Sequence, residues 1–310
     1  MTPAADASAG PREILDPLTG RPILLAPVRQ HRPMHTTDRT GSRPCPFCPG
    51  NEHETPPERD AARPQGAGAT AWIARAFANK YPASLHHEVI AEGSAHREQP
   101  ADLDVATWRA VLGLWQRRVR ALEAEADVAC TFLFKNVGAA AGASIAHNHS
   151  QLLGLAAAPP RVRLELEHAA RLADCPWCES LRTAAPEGRL VFESERHAVL
   201  CPHPPKLPHE TWLLPRDCGD DFLATDLDSL AAALHALFRA VDVGLGRPAF
   251  NFWLHRLPTA PAGGGRALHW HFELQPRTGQ VAGLELGGDM YINSFPADVS
   301  AERLRAGLDA

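Results

Sequence analysis

The sequence predicts an α+β protein made of two tandem domains, residues 12–155 and 161–310, each a mostly antiparallel sheet with one long helix packed on it. Three observations predict this. A set of residues repeats at a fixed offset, each half carries one amphipathic helix, and each helix is followed by a short apolar run that leads to a His-x-His segment.

The repeat has an offset of 122 residues. His87-Glu88 returns as His209-Glu210, Pro82 as Pro204, Leu85 as Leu207, and His147-Asn148-His149 as His269-Trp270-His271. Each half also opens on a Cys-Pro-x-Cys pair, Cys45/Cys48 and Cys175/Cys178, 130 residues apart. One short match is cheap; several at one offset, with the same order of elements between them, favour duplication. Val105, Trp108, Leu112, Trp115, Val119 and Leu122 fall on one helical face, and so do Leu227, Leu230, Leu234, Leu237, Val241 and Leu245. Cys130–Phe134 and Phe250–Leu254 read as strands. Residues 2–10 read as a tail, and residues 156–160 as the seam between the halves. Residues 55–69, rich in Pro, Gly, Ala and charge, read as a long loop.

Composition narrows the function. The chain has 310 residues, 45% hydrophobic and 22% charged, so it can bury a sizeable core. Its 23 glycines and 28 prolines favour loops but are too few for a disordered chain. A net charge of −5 supplies no general field for nucleic acid or an anionic membrane, so neither is expected as a partner. A phosphate-bearing ligand has to be held locally. No apolar stretch reaches the length of a membrane helix, and Met1 to Pro11 lacks the pattern of a secretory signal, so a cytoplasmic location is expected. Seven cysteines, an odd number with two Cys-Pro-x-Cys pairs, suit metal binding in a reducing compartment better than disulfides.

A Cys-x-x-Cys knuckle gives two ligands to a tetrahedral zinc ion, and the other two must come from distant segments. The repeat nominates them. The strand after His87 ends at His96, and the position 122 residues later is Cys218. The first histidine of each His-x-His is the fourth candidate. One zinc site is therefore expected from Cys45, Cys48, His96 and His147, and a second is possible from Cys175, Cys178, Cys218 and His269. Cys130 and Cys201 fall in apolar runs and read as core.

Residues 138–151 are the most informative stretch. Their small residues let backbone approach a ligand closely. If residues 147–151 are extended, His147, His149 and Gln151 share one face. A metal ligand, an imidazole and a carboxamide then stand in a row. An imidazole held by neighbours is a competent nucleophile toward phosphorus, and Gln151 can donate to a phosphoryl oxygen. The residues alone leave open that His149 is a second metal ligand or a polar core residue. Arg29 and Arg32 offer planar forks suited to phosphate.

At these residues the chain resembles the galactose-1-phosphate uridylyltransferase family of the histidine-triad superfamily, from Leu15 to about Leu308. Asp16-Pro17-Leu18-Thr19-Gly20 and the stretch from Ala26 to Pro33 resemble its opening strand and basic loop. The stretch from Cys45 to Glu52, with Thr55-Pro56-Pro57-Glu58, is similar to its zinc knuckle. Asn79-Lys80-Tyr81-Pro82 and Phe134-Lys135-Asn136-Val137-Gly138 match further stretches, and His147-Asn148-His149-Ser150-Gln151 stands where the family has His-Pro-His-x-Gln. The resemblance implies two histidine-triad-like domains, the second a degenerate copy with Glu273 in place of glutamine. It implies that His149 is the nucleophile, that Gln151 supports the phosphoryl group, and that Arg29, Arg32, Asn79, Asn136 and Ser144 contact the nucleotide. It also implies a homodimer. The implied reaction is UDP-glucose:hexose-1-phosphate (galactose-1-phosphate) uridylyl transfer by double displacement. The second knuckle and residues 287–293 look more like the ADP-glucose phosphorylase branch, in which phosphate is the acceptor. A nucleotide-sugar hydrolase and a zinc-stabilised binding module are the rival expectations.

Overall fold

A computed structural model describes residues 10–31, 44–68, 70–257 and 269–309. The chain opens with a hairpin, β1 (Arg12–Leu15) and β2 (Pro22–Leu25). Then come β3 (Glu58–Ala62), β4 (Ala74–Ala78), β5 (His86–Glu92), α1 (Val105–Glu123), β6 (Cys130–Val137) and β7 (His149–Leu155). Helices α2 (Pro160–Ala169) and α3 (Pro176–Ala184) lead into β8 (Leu190–Glu193), β9 (His197–Leu200), β10 (Thr211–Pro215), α4 (Leu227–Leu245), β11 (Phe250–His255) and β12 (His271–Pro276). Two helices, α5 (Gly283–Gly288) and α6 (Ala297–Asp309), follow.

Both long helices lie where their apolar spacing places them. Asp104 caps α1 by accepting from the Thr107 amide at 2.8 Å, and Asp226 caps α4 by accepting from the Ser229 amide at 2.7 Å. Gly246, with φ +73°, ends α4 in the left-handed conformation that glycine adopts without strain.

The expected pair of sheets is one sheet. Ten strands run in the order β3-β4-β5-β7-β6-β11-β12-β10-β9-β8, every neighbouring pair antiparallel. The order reads outward identically from the central β6–β11 pair, so the halves are related by a pseudo-twofold through that seam. Phe134 lies opposite Trp253 there, and Asn136 opposite Asn251. Joining the half-sheets removes two open edges. It also places α1 and α4 side by side on one face, where Trp108 meets Phe238 with centroids 5.0 Å apart and Trp115 meets Phe272 at 6.1 Å. One apolar cluster therefore runs through both halves.

Two local expectations are corrected. Residues 55–69 contain an edge strand, β3, paired to β4 across a bulge between Glu58 and Asp60. Its charged residues hide it from pattern reading, but they are spent on tertiary partners: Arg59 donates to Glu88 at 2.8 Å and Asp60 accepts from Arg117 at 2.9 Å. The strand holding His87 ends at Glu92, and His96 lies in the loop beyond it. Cys130 and Cys201 are buried, as read.

Helix α6 packs on α4 through glycine. A β-carbon on Gly307 would lie 2.6 Å from the Gly244 nitrogen and 2.7 Å from the Ala240 oxygen, closer than packed atoms approach. Gly307→Val is expected to lower stability by about 1–3 kcal/mol through overpacking. Thermal unfolding would show a lower Tm, with ligand binding by the remaining folded protein unchanged.

Candidate active site

The strand start at β7 puts His149 and Gln151 on the face of the sheet away from α1, while Ser150 and Leu152 face the helix. His149 lines a cleft of about 570 Å³ together with Phe47, Asn79, Lys80, Tyr81, Ser144 and Gln151. The tight turns before β7 come from Gly138 and Gly142, at φ +79° and +83°.

His149 lies 2.7 Å by its Nδ1 from the His147 carbonyl oxygen. A carbonyl only accepts, so Nδ1 carries the proton and the lone pair sits on Nε2. The Phe47 ring stands edge-on to the imidazole, centroids 5.3 Å apart. Gln151 is oriented by a residue that sequence reading noted only as part of the repeat. The Ala83 amide donates to His87 Nδ1 at 2.9 Å, which leaves the proton on Nε2, and His87 Nε2 donates to Gln151 Oε1 at 3.1 Å. The NH₂ end of Gln151 is then the end directed away from His87.

Other sequence-nominated residues lie around this row. Asn79 and Ser144 line the cleft. Asn136 is not among its lining residues. It sits two residues beyond Phe134, the β6 partner of Gln151, and accepts from Asn251 Nδ2 at 2.8 Å. Arg29 stands beside the cleft, half-buried, and donates to the carbonyl of the lining residue Tyr81 at 2.7 Å. Arg32 lies outside the described residues.

The knuckle residues converge with their nominated partners. Ligand atoms of Cys45, Cys48, His96 and His147 all lie within 4.8 Å of one another, and so do those of Cys175, Cys178, Cys218 and His269. Sulfur-to-imidazole distances are 3.4–3.7 Å in the first set, and 3.8 and 3.9 Å in the second. Ligand lengths to tetrahedral zinc put such atoms about 3.6 Å apart, so both sets fit the ion. In each set the histidine's second nitrogen faces a backbone oxygen: His147 Nε2 the Gly93 carbonyl at 2.9 Å, His269 Nε2 that of Pro215 at 2.7 Å. This turns Nδ1 toward the sulfurs. Burial pushes the His147 pKa down to about 4, so the ring is neutral, as a metal ligand must be.

Three comparisons with known proteins place this chain beside characterised relatives. Residues 78–159 match the family model for the galactose-1-phosphate uridyl transferase N-terminal domain. The ADP-glucose phosphorylase of Arabidopsis thaliana is 27% identical over 325 residues, 92% of this chain and 90% of the relative. Over most of its length the chain is thus similar to proteins of the galactose-1-phosphate uridylyltransferase family. The uridylyltransferase of that name from Streptomyces lividans is 28% identical over 323 residues, 95% of this chain and 86% of the relative. The crystal structure of the Arabidopsis thaliana ADP-glucose phosphorylase with bound ADP-glucose matches with a TM-score of 0.77 and 26% identity, covering 96% of this chain and 99% of that one.

In this chain the second half keeps the backbone geometry and changes its contents. His271 Nδ1 lies 3.0 Å from the His269 carbonyl oxygen, repeating the His149 bond. Its ring, however, is covered by Trp177 and Trp212, with centroids at 5.5 and 5.3 Å. Where Gln151 stands in the first half, Glu273 binds Lys206 at 2.9 Å. Glu165 on α2 reaches His255 at 2.8 Å; although burial opposes it, that contact draws Glu165 down to about 2. Sequence reading missed the resulting Glu165, His255, His271 and Glu273 cluster, whose members come from three separate elements.

Metal analysis should find two zinc equivalents per chain. Cys45→Ser/Cys48→Ser and Cys175→Ser/Cys178→Ser are each expected to lose one. A strong chelator is expected to lower the Tm, because metal affinity for the folded site adds to stability.

Proposed function

We propose that this protein moves a nucleoside monophosphate from a nucleoside-diphosphate sugar to a second phosphate, through a covalent bond to His149. The supporting observation is the bond between His149 Nδ1 and the His147 carbonyl, which sets the Nε2 lone pair on an imidazole that lines the cleft. Nε2 attacks the α-phosphorus, the bond from phosphorus to the bridging oxygen breaks, and sugar 1-phosphate leaves with the electron pair. The Nδ1 proton stays on the ring, and the His147 carbonyl stabilises the positive charge that develops there. A phosphate oxygen of the acceptor then attacks the same phosphorus, and the electron pair returns to Nε2. Gln151 donates to a phosphoryl oxygen through both steps. Asn79 and Ser144, which line the cleft, and Arg29 beside it position the donor, and the family resemblance adds Asn136 and Arg32. Zinc held by Cys45, Cys48, His96 and His147 would be structural: four protein ligands leave no open position, and the ion would hold the segment that aims His149.

With UDP-glucose as donor and a hexose 1-phosphate, such as galactose 1-phosphate, as acceptor, the activity is uridylyl transfer. Adenylyl transfer from ADP-glucose to phosphate is the second reading. It is supported by the four-ligand set in the second half and by the Arabidopsis thaliana relative that spans 92% of the chain. In both readings the protein is a cytoplasmic homodimer, and seven unbridged cysteines suit a reducing compartment.

Intact masses after incubation with UDP-glucose or ADP-glucose, kept out of acid, test the proposal. A gain the size of UMP or AMP is expected from one donor and none from His149→Ala. No gain in zinc-loaded protein that binds either donor would overturn it and favour a binding module. Release of the adduct by water alone, with no effect of added hexose 1-phosphate or phosphate, would make the protein a hydrolase. Gln151→Ala is expected to slow adduct formation by about 10²–10³-fold, as loss of one oxyanion donor does.

A further inference from the structure

Behind the row of His147, His149 and Gln151, on the helix side of the sheet, lies a buried polar cluster that neither the metal sites nor the chemistry uses. The Lys135 ammonium is fully buried. It pairs with Glu92, donates to Asn148 Oδ1 at 2.7 Å, and donates to the His149 carbonyl oxygen at 3.0 Å. All three of its protons are thereby used. Glu92, also fully buried, accepts from Ser150 Oγ at 2.6 Å and Trp115 Nε1 at 3.0 Å. Asn148 Nδ2 has no hydrogen-bond partner, so this buried amide is kept with half its capacity unmet.

The second half is an internal control. Gln151 pairs with Phe134, and Glu273 with Trp253. One residue along the strand in each case, Lys135 corresponds to Leu254. The offset of 122 matches Asn148 to Trp270 and Ser150 to Phe272. All three counterparts are buried and apolar, and they join the common core. The β10 stretch that corresponds to the end of β5 is Leu213-Leu214-Pro215, with no acid. The same backbone positions, on the same face, thus hold no charged side chain, and the Trp270 indole among them donates to Asp220 at 2.9 Å. Replacing a buried ion pair by apolar side chains is often neutral or stabilising. The fold therefore does not require the cluster, and it stands only in the half whose His-x-His carries the glutamine.

We infer that Lys135, held by Glu92, is a positioning residue for His149: it grips the carbonyl of the nucleophile's own residue and the side chain of the residue before it, and so fixes the direction of the imidazole. This inference rests on His149 being the nucleophile. Lys135→Met leaves Glu92 buried and unpaired, so the informative variant is Lys135→Met/Glu92→Gln, in which the pair is neutral and the new carboxamide oxygen still accepts from Ser150 and Trp115.

The experiment compares single-turnover formation of the nucleotidyl adduct, using whichever of UDP-glucose or ADP-glucose labels the wild type, with the Kd of the matching nucleoside diphosphate and with zinc content. The neutral pair is expected to keep its zinc and its Kd while the adduct forms on the order of 100-fold more slowly, the cost of a small misplacement of a reacting group. A wild-type rate in the folded variant would overturn the inference and leave Lys135 as no more than the counter-charge of Glu92. If the neutral pair does not fold, Asn148→Ala, which keeps both charges and removes one of the two grips of Lys135 on this segment, carries the test with the same two outcomes. Absence of an adduct in the wild type would overturn the functional reading itself, and is distinguishable from failure of the variant alone.

Discussion

The β6–β11 pairing is the constraint on which the rest depends. Antiparallel backbone bonds between these strands turn two half-sheets into one, with the pseudo-twofold axis passing near Phe134 and Trp253. Helices α1 and α4 must then lie together on a single face, and their apolar stripes close one core instead of two. The opposite face is left to the knuckles and the His-x-His segments, one set on each side of the seam. A site built on strands of a sheet with a shared core is held more rigidly than one built on loops.

Symmetric backbone with asymmetric contents is the second theme. Both halves give the first histidine of the His-x-His a carbonyl partner at Nε2 and the second histidine a carbonyl partner at Nδ1. These bonds depend on backbone, so they survive changes of side chain. What differs is what surrounds the second histidine. In the first half Phe47 leaves one side open to a cleft; in the second, Trp177, Trp212 and Lys206 close over His271 and Glu273. The charged groups in that half are paired with one another, so the second His-x-His is held in place and covered.

Much of the site was legible in the sequence because its ligands have strong local signals. A Cys-x-x-Cys pair and a His-x-His pair each identify themselves, and the repeat pointed to His96 and Cys218 as the members between them. His87 was legible only as a repeated residue. Its role depends on the Ala83 amide and on Gln151 across the strand pair, and no spacing rule encodes either contact. Glu165 was invisible for the same reason. It sits on α2, a helix of ten residues with no strong pattern, and meets His255 ninety residues later.

Short windows of the chain were enough for the α+β class, the two long helices, the duplication and the sets of residues that could bind metal, because these follow from periodicity and from ligand chemistry. Three outcomes came only with the folded molecule: the halves share one sheet, β3 is a strand despite its charges, and Lys135 lies buried behind His149. Those outcomes depend on which strand edges meet and which charges find partners far along the chain. Such pairings are chosen by the free energy of the whole core, and no local stretch of sequence carries them.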